Sequence, residues 1–181
     1  MENEPDVVDM LTDQHHRIAD LFRRTLDATG DERRSAFVDL RRLVAAHETA
    51  EEVLVHPRMR WIEQAGDRLA QDRLAEEIHL KAELRELEKM DVESPEFAAG
   101  LEQARAESLA HNSAEETDEF PLLRADLDET QRVRLRRGVQ VVESIAPSRP
   151  HPGLALGGEN VLAGGFVAVA DRVRDLLSRS A

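Results

Sequence analysis

The sequence contains no cysteine and no tyrosine, and aromatic residues make up only 3% of its 181 residues. The absence of cysteine excludes a disulfide framework, thiol catalysis, and any zinc or iron–sulfur site with cysteine ligands. A metal bound by this chain must therefore be held by histidine and carboxylate side chains. The scarcity of aromatic residues leaves Leu, Val, Ile and Ala to fill a core. This composition, with 34% charged residues, favours helices over sheets.

Long apolar runs are also missing, since no stretch approaches the roughly 20 apolar residues that span a bilayer. The first residues, MENEPDVVDM, lack the basic and apolar regions of a signal peptide. We therefore expect a cytoplasmic protein with no membrane partner. The net charge of −13 argues against a nucleic-acid partner, because such binding depends on Lys and Arg that neutralise phosphates.

Apolar residues recur at steps of three and four, which is the pattern of amphipathic helices. Short connections near Gly30, Gly66 and Ser94 favour antiparallel neighbours. The fold class predicted is all-α: an up-down-up-down antiparallel four-helix bundle with an extra short helix and a C-terminal amphipathic helix. The predicted helices cover about 5–30, 31–66, 68–90, 94–120 and 128–145.

The domain organisation follows from the same pattern. Residues 1–145 are expected to form the four-helix bundle with its short fifth helix. A stretch dense in Pro and Gly, residues 146–165, is expected to be a linker. Residues 166–181 are expected to form a helix that docks on the bundle or on a protein partner.

One motif occurs twice, and its two copies align with each other without a gap. Residues 47–60 read HETAEEVLVHPRMR and residues 111–124 read HNSAEETDEFPLLR, with His, Ala-Glu-Glu, Pro and Arg at equivalent positions. A His and a Glu four residues apart lie on the same helix face, so each pair can present a nitrogen and an oxygen to one point. The late prolines, Pro57 and Pro121, are expected to kink or end their helices just beyond these pairs.

Further polar residues lie where the bundle should have its core. His15 lies on the apolar stripe of the first helix. The third helix has Glu83 on its stripe and His79 on the flank, again with His-x3-Glu spacing. His15 and His47 are as far apart as His79 and His111, which suggests two helical hairpins related by a pseudo-twofold axis. The candidate metal ligands are His15, His47, Glu51, His79, Glu83, His111 and Glu115.

Three residues near these candidate ligands in the sequence have other expected roles. Glu48 and Glu52 can face solvent, and Glu48, next to His47, is the better candidate for an extra ligand or a hydrogen-bond acceptor. His56 precedes Pro57 where the other copy of the motif has Phe120, so a packing role at the end of the site is expected.

A buried layer of carboxylates and imidazoles needs a compensating partner, because burying such groups unpaired costs several kcal/mol. Two metal ions would supply it, since carboxylates can bridge two ions and helix bundles use this chemistry for di-iron and di-manganese sites. Both iron and manganese accept this ligand set. A helical scaffold whose polar layer is metal-free is the alternative.

With these residues in view, the chain resembles the hemerythrin-like (HHE cation-binding) domain family. The resemblance is carried by DQHHRIADLF, HETAEEVLVHP and HNSAEETDEFP, and it covers about residues 6–124. It implies two iron ions, bound by the histidines of the first, second and fourth helices and bridged by the glutamates of the two repeated pairs. These residues are His15, His47, His111, Glu51 and Glu115.

The third helix departs from the family pattern. Oxygen-carrying members have His-x3-His there, whereas this sequence has His79-x3-Glu83, and some relatives use the Glu directly after the second-helix His, which is Glu48 here. Added carboxylates stabilise higher oxidation states, which favours oxidation over reversible oxygen carriage. We expect a non-haem di-iron protein that reacts with or senses oxygen, peroxide or nitric oxide. A di-iron oxidase or catalase-like enzyme, and an iron or oxygen sensor that signals through the C-terminal helix, are the alternatives.

Overall fold

A computed structural model describes residues 4–145 of the chain. In that range the helical elements are α1 (Val7–Asp27), α2 (Gly30–Ala50), π1 (Glu51–Val55), α3 (His56–Met59), α4 (Glu63–Leu87), α5 (Pro95–Ala114), π2 (Glu115–Glu119), α6 (Phe120–Asp126) and α7 (Glu129–Ile145). This part of the chain contains no β-strand. None of its helices is both long and apolar enough to cross a membrane. The predicted linker 146–165 and the predicted helix 166–181 lie outside the described residues.

Four helical rods build an antiparallel bundle. They are α1, the continuous run from α2 through π1 to α3, then α4, and the continuous run from α5 through π2 to α6. The helix α1 packs mainly on α2, and α4 packs mainly on α5. The last described helix, α7, packs against both α1 and α2. The predicted all-α four-helix bundle with an extra short helix is therefore confirmed.

Local sequence signals account for the helix starts. Asp6 caps α1, where its side chain accepts the backbone N–H of Asp9 while the Asp9 carboxylate accepts the N–H of Asp6. Ser94 caps α5 in the same way by accepting the N–H of Phe97, and Pro95 fills the first helical position. The predicted start of this helix at Ser94–Pro95 is thus confirmed to within one residue.

Two glycines that were predicted to end helices lie at helix starts instead. Gly30 has a φ of 59° and begins α2, whereas α1 ends at Asp27. Gly66 lies within the first turn of α4, where an added Cβ would be 2.2 Å from the carbonyl oxygen of Met59. Glycine is needed there because the start of α4 passes directly over the end of α3, so the third rod begins earlier than the predicted position 68.

Two apolar clusters fill the bundle at either side of a polar layer. One cluster contains Leu11, Ala50 and Phe120, and the other contains Ile18 and Val44. Along each rod, the change from one cluster to the other falls at buried polar residues. These are Gln14, His15, His47, Glu48, Arg73, Glu77, Ser108 and His111. The fold thus encloses a polar layer between two apolar clusters.

Candidate metal centre

The two copies of the repeated motif share an uncommon backbone geometry. π1 begins at Glu51 and π2 begins at Glu115, each as a five-residue insertion in an otherwise α-helical rod. In each case the residue after the π segment donates its backbone N–H to the carbonyl of that glutamate, five positions earlier. The next residue is Pro57 or Pro121, which has no N–H to donate. The predicted interruption therefore takes the form of a π-helical turn, a feature that often marks functional sites.

The polar layer contains two groups of potential metal ligands, and within each group the donor atoms lie within 4.8 Å of one another. Both groups include the buried carboxylates of Glu51 and Glu115. The first group adds His15 and His47, and the second adds Glu77 and His111. Since the two glutamates are common to both groups, they lie where carboxylates would bridge two ions.

The Nε2 atoms of the three histidines point at these glutamates. His15 Nε2 lies 3.2 Å from Glu115 Oε2, and His47 Nε2 lies 3.2 Å from Glu51 Oε2. His111 Nε2 lies 3.3 Å from Glu115 Oε1. None of the three nitrogens has a hydrogen-bond partner, and neither oxygen of Glu51 has one.

Buried polar atoms without partners are costly, at about 1–3 kcal/mol each. A metal ion at each group would provide a partner for the unpaired histidine nitrogens and Glu51 oxygens. Imidazole nitrogens and carboxylate oxygens are ligands that iron and manganese accept. The residues present therefore fit a pair of such ions.

The other ring nitrogen of each histidine is fixed from outside the layer. His15 Nδ1 lies 2.7 Å from Glu116 Oε1, and His111 Nδ1 lies 2.9 Å from Glu76 Oε2. A carboxylate oxygen accepts, so Nδ1–H must donate in both cases. This tautomer leaves the Nε2 lone pair free to face the centre, which is how outer hydrogen bonds orient histidine ligands.

His47 is oriented by a longer relay that begins on α7. Its Nδ1 lies 2.8 Å from Gln14 Oε1, and Gln14 Nε2 donates to Glu143 Oε1 at 2.6 Å. Because a carboxylate accepts, Glu143 fixes which end of the Gln14 amide faces His47. Burial, followed by the neighbouring His15, lowers the pKa of His47 to about 3, so its ring is neutral and keeps Nε2 unprotonated.

The pKa values of the two shared carboxylates are shifted in opposite directions. Burial, followed by the negative charge of Glu115, raises the pKa of Glu51 well above its usual value. Burial acts on Glu115 as well, but His111 and then His15 outweigh it and hold the pKa of Glu115 well below the usual range. Without metal, Glu51 therefore holds a proton more readily than Glu115, and metal binding would favour the release of that proton.

The structure does not bring the predicted residues His79 and Glu83 into this layer. The side chain of His79 is 61% exposed, and its Nε2 lies 3.6 Å from Glu83 Oε1 and 3.3 Å from Glu107 Oε2. These three residues form a separate group of potential ligands near the surface. The expectation that His79 and Glu83 complete the buried layer therefore does not match their position.

The third helix contributes Glu77 instead, a residue that the sequence reasoning missed. The sequence prediction places Glu83 on the core face of this helix, yet Leu80, Leu84 and Leu87 are the buried apolar residues of this segment. Extending their three- and four-residue spacing backwards leads to Glu77. The apolar periodicity therefore contained the signal, and the error was one of helix phase.

Glu48 and Glu52 are buried, so the expectation that they can face solvent is wrong. Glu48, the candidate extra ligand, belongs to neither ligand group, and its Oε2 lies 3.3 Å from Lys81 Nζ. His56 is buried too, as its expected packing role requires, but it also forms a hydrogen bond with Glu77. Burial opposes protonation of His56, yet the charge of Glu77 outweighs it and raises the pKa of His56.

A cavity between α4 and α5 lies beside the candidate ligand His111. This cavity has a volume of about 460 Å³ and is lined by Glu76, His79, Glu107 and His111 among other residues. His111 belongs to the second ligand group and His79 is exposed. The cavity therefore extends from the surface to one candidate ligand, His111, on a scale suited to small molecules.

Comparison with known proteins gave one finding. The family model described as the hemerythrin HHE cation-binding domain matches residues 6–123. This range contains both ligand groups and both π segments, whereas α7 lies beyond it. No curated protein and no solved structure matched the chain.

Proposed function

Because this chain belongs to the hemerythrin HHE cation-binding domain family, we propose that its centre binds two iron ions and that the protein reacts with or senses oxygen, peroxide or nitric oxide. The observation that carries this proposal is the pair of ligand groups that share Glu51 and Glu115. Bridging carboxylates with terminal histidines are the arrangement that helix bundles use for di-iron and di-manganese sites. Manganese is the second metal that these ligands accept.

The ligand inventory favours redox chemistry over reversible oxygen carriage. The second group offers three carboxylates and a single histidine, His111. Anionic oxygen ligands stabilise higher oxidation states, so the reduced centre is expected to oxidise readily. When bound, the metal pair would supply the electrons for the reaction with a small oxidant. The expectation of an added third-helix carboxylate is kept in this proposal, with Glu77 in place of Glu83.

The protein side chains have three tasks in this proposal. Outer hydrogen bonds to Nδ1 hold each histidine ring in place, so the ligand geometry is set before metal binds. The apolar clusters on either side exclude water from the layer. The cavity beside His111 gives a small reactant access. An oxidase or a peroxide-consuming, catalase-like enzyme would use all three.

A sensor is the second candidate function, and the relay from α7 favours it. Glu143 of α7 reaches His47 through Gln14, so a change in the centre can alter the packing of α7. The chain continues from α7 into the predicted linker 146–165 and the predicted helix 166–181, which is expected to dock on the bundle or on a protein partner. Signalling would then depend on the redox state of the centre.

Metal analysis after anaerobic purification tests the shared proposal. We expect about two irons per chain, and a loss of bound iron in Glu51→Ala with helical circular dichroism unchanged. His79→Ala is the matched control, because His79 lies outside the buried layer and its removal should leave the stoichiometry intact. A chain that binds no metal after reconstitution with iron or manganese would refute the proposal.

Exposure of the reduced protein to oxygen or peroxide separates the candidate functions. Peroxide turnover that disappears in a folded His111→Ala variant would establish the enzyme. A reversible change in the visible spectrum without turnover, together with a partner that binds in one redox state only, would establish the sensor.

A further inference from the structure

A lysine is buried inside the bundle next to the metal centre. Lys81 of α4 is only 3% exposed, and its Nζ contacts three buried carboxylates. It pairs closely with Glu52, lies 3.3 Å from Glu48 Oε2, and lies 3.5 Å from Glu77 Oε2. A lysine is almost never buried to this extent unless it is paired. These three contacts are therefore the reason that the ammonium group is stable at this position.

The place of Lys81 in the helix pattern is informative. The second and fourth rods present His-x3-Glu pairs to the centre, as in His47 with Glu51. At the corresponding level α4 presents Glu77-x3-Lys81, two residues on the same helix face. An ammonium group has three donors and no lone pair, so it cannot bind a metal. On α4, the position one turn beyond the candidate ligand Glu77 thus carries a fixed positive charge, 3.5 Å from Glu77 Oε2.

This charge changes what the neighbouring carboxylates can do. Glu48 and Glu52 are paired with Lys81, and neither belongs to a ligand group. Glu77 does belong to one, but its other oxygen is hydrogen-bonded to His56. A metal ion next to Glu77 must therefore compete with the Lys81 ammonium and with the His56 ring. The positive charge of the Lys81 ammonium also repels such an ion, and water screens this repulsion poorly inside the bundle.

The first ligand group has no comparable competitor. His15 and His47 offer Nε2 atoms without hydrogen-bond partners, and their Nδ1 atoms are already satisfied. An ion at this group would find two preformed nitrogen ligands. The second group offers only one such ligand, His111.

We propose that Lys81 makes the two metal positions unequal, so that the ion held by His15 and His47 binds first and the ion held by Glu77 and His111 binds second, with lower affinity. This inference rests on the proposed two-metal function. Lys81 acts as a positioning residue that sets the affinity of the second position through its charge. It touches no reacting atom.

Titration of the metal-free full-length chain with Mn²⁺ under anaerobic conditions tests the inference. Electron paramagnetic resonance distinguishes free Mn²⁺, a single bound ion, and a magnetically coupled pair. In the wild type we expect a single-ion signal after one equivalent, and a coupled pair only at concentrations at least tenfold higher. A coupled pair that forms from the first addition would overturn the inference.

Three variants change the charge near the second position in defined ways. Lys81→Met removes the cation, so the second dissociation constant should tighten at least fivefold. Lys81→Arg keeps the charge and should keep the wild-type gap between the two constants. Glu52→Gln removes a counter-charge of Lys81, so the second constant should weaken while the first is unchanged. A gap that stays the same in Lys81→Met and Glu52→Gln would overturn the inference.

A matched control removes a different buried cation. Arg41 of α2 is buried and pairs with Glu88 at 2.5 Å, six positions before His47 and hence about 9 Å away along the helix. Arg41→Met should leave both constants unchanged. If Lys81→Met does not fold, the wild-type and Glu52→Gln titrations still decide. Absence of any bound metal in the wild type would refute the proposed function itself, whereas two equal positions would refute only the role of Lys81.

Discussion

The relay from Glu143 through Gln14 to His47 makes a quantitative prediction about metal affinity. Gln14→Leu removes the acceptor of His47 Nδ1–H, a hydrogen bond of 2.8 Å, and leaves a buried donor unpaired. Loss of an outer hydrogen bond to a histidine ligand weakens metal affinity by about 10–100-fold. That range corresponds to about 1.4–2.7 kcal/mol of binding free energy. We therefore expect Gln14→Leu to weaken the first metal site by that factor.

The relay also predicts that the two outer residues act as a unit. Glu143→Leu removes the acceptor of the Gln14 amide, so the amide can turn its nitrogen towards His47 in part of the population. The resulting loss of affinity should be smaller than for Gln14→Leu. Glu143→Leu should have no further effect in the Gln14→Leu background, because the relay is already broken there.

Competition with a chromophoric chelator measures these affinities for Zn²⁺ or Fe²⁺, with circular dichroism as the check on folding. Ser144→Ala is the matched control on α7, since its exposed hydroxyl contacts only the backbone of Val141. Wild-type affinity in Gln14→Leu would refute the relay. Additive losses in the Gln14 and Glu143 double variant would show that the two residues act separately.

Three further predictions concern the fold and the apo protein. His79→Ala should leave iron stoichiometry at the wild-type value in metal analysis, because His79 lies near the surface. Gly66→Ala should destabilise the protein by about 1–3 kcal/mol in urea unfolding, since its Cβ would meet the Met59 carbonyl oxygen and this clash outweighs the gain in helix propensity. In the metal-free protein, His47 takes up a proton below pH 6.5 only after unfolding, so its contribution to stability falls by at most about 1.4 kcal/mol per pH unit on acidification. His47→Gln should flatten that pH dependence, and an unchanged slope from pH 6.5 to 4.5 would contradict the assignment.

The bundle and much of the centre followed from local sequence patterns. His47 with Glu51 and His111 with Glu115 were identified because residues four apart share a helix face, which needs no knowledge of the tertiary structure. The structure places these residues together with His15. The helical fold class and the antiparallel packing could be predicted in the same way, because apolar periodicity and short connections are local features of the sequence.

Other parts of the centre depend on information that local patterns lack. Placing Glu83 rather than Leu84 on the core face of α4 gives the wrong helix phase. Glu83, which lies near the surface, is then predicted as a ligand in place of the buried Glu77. Gln14 and Glu143 are 129 positions apart, so their hydrogen bond follows only from how α7 docks. Lys81 can be buried because Glu48 and Glu52 of the second rod pair with it. The apolar periodicity of α4 alone contains no information about these two residues.

The π segments have a consequence for how this sequence can change over time. Each adds one residue to a helical turn, so the rod after it is rotated by about 100° relative to an uninterrupted α-helix. Deleting a single residue within 52–55 or 116–119 would restore the regular turn and rotate the residues that follow it, among them His56, which is hydrogen-bonded to Glu77. Segment length therefore matters to the centre together with ligand identity, and a one-residue deletion there should weaken metal binding even though all four ligands of the repeated motif are retained.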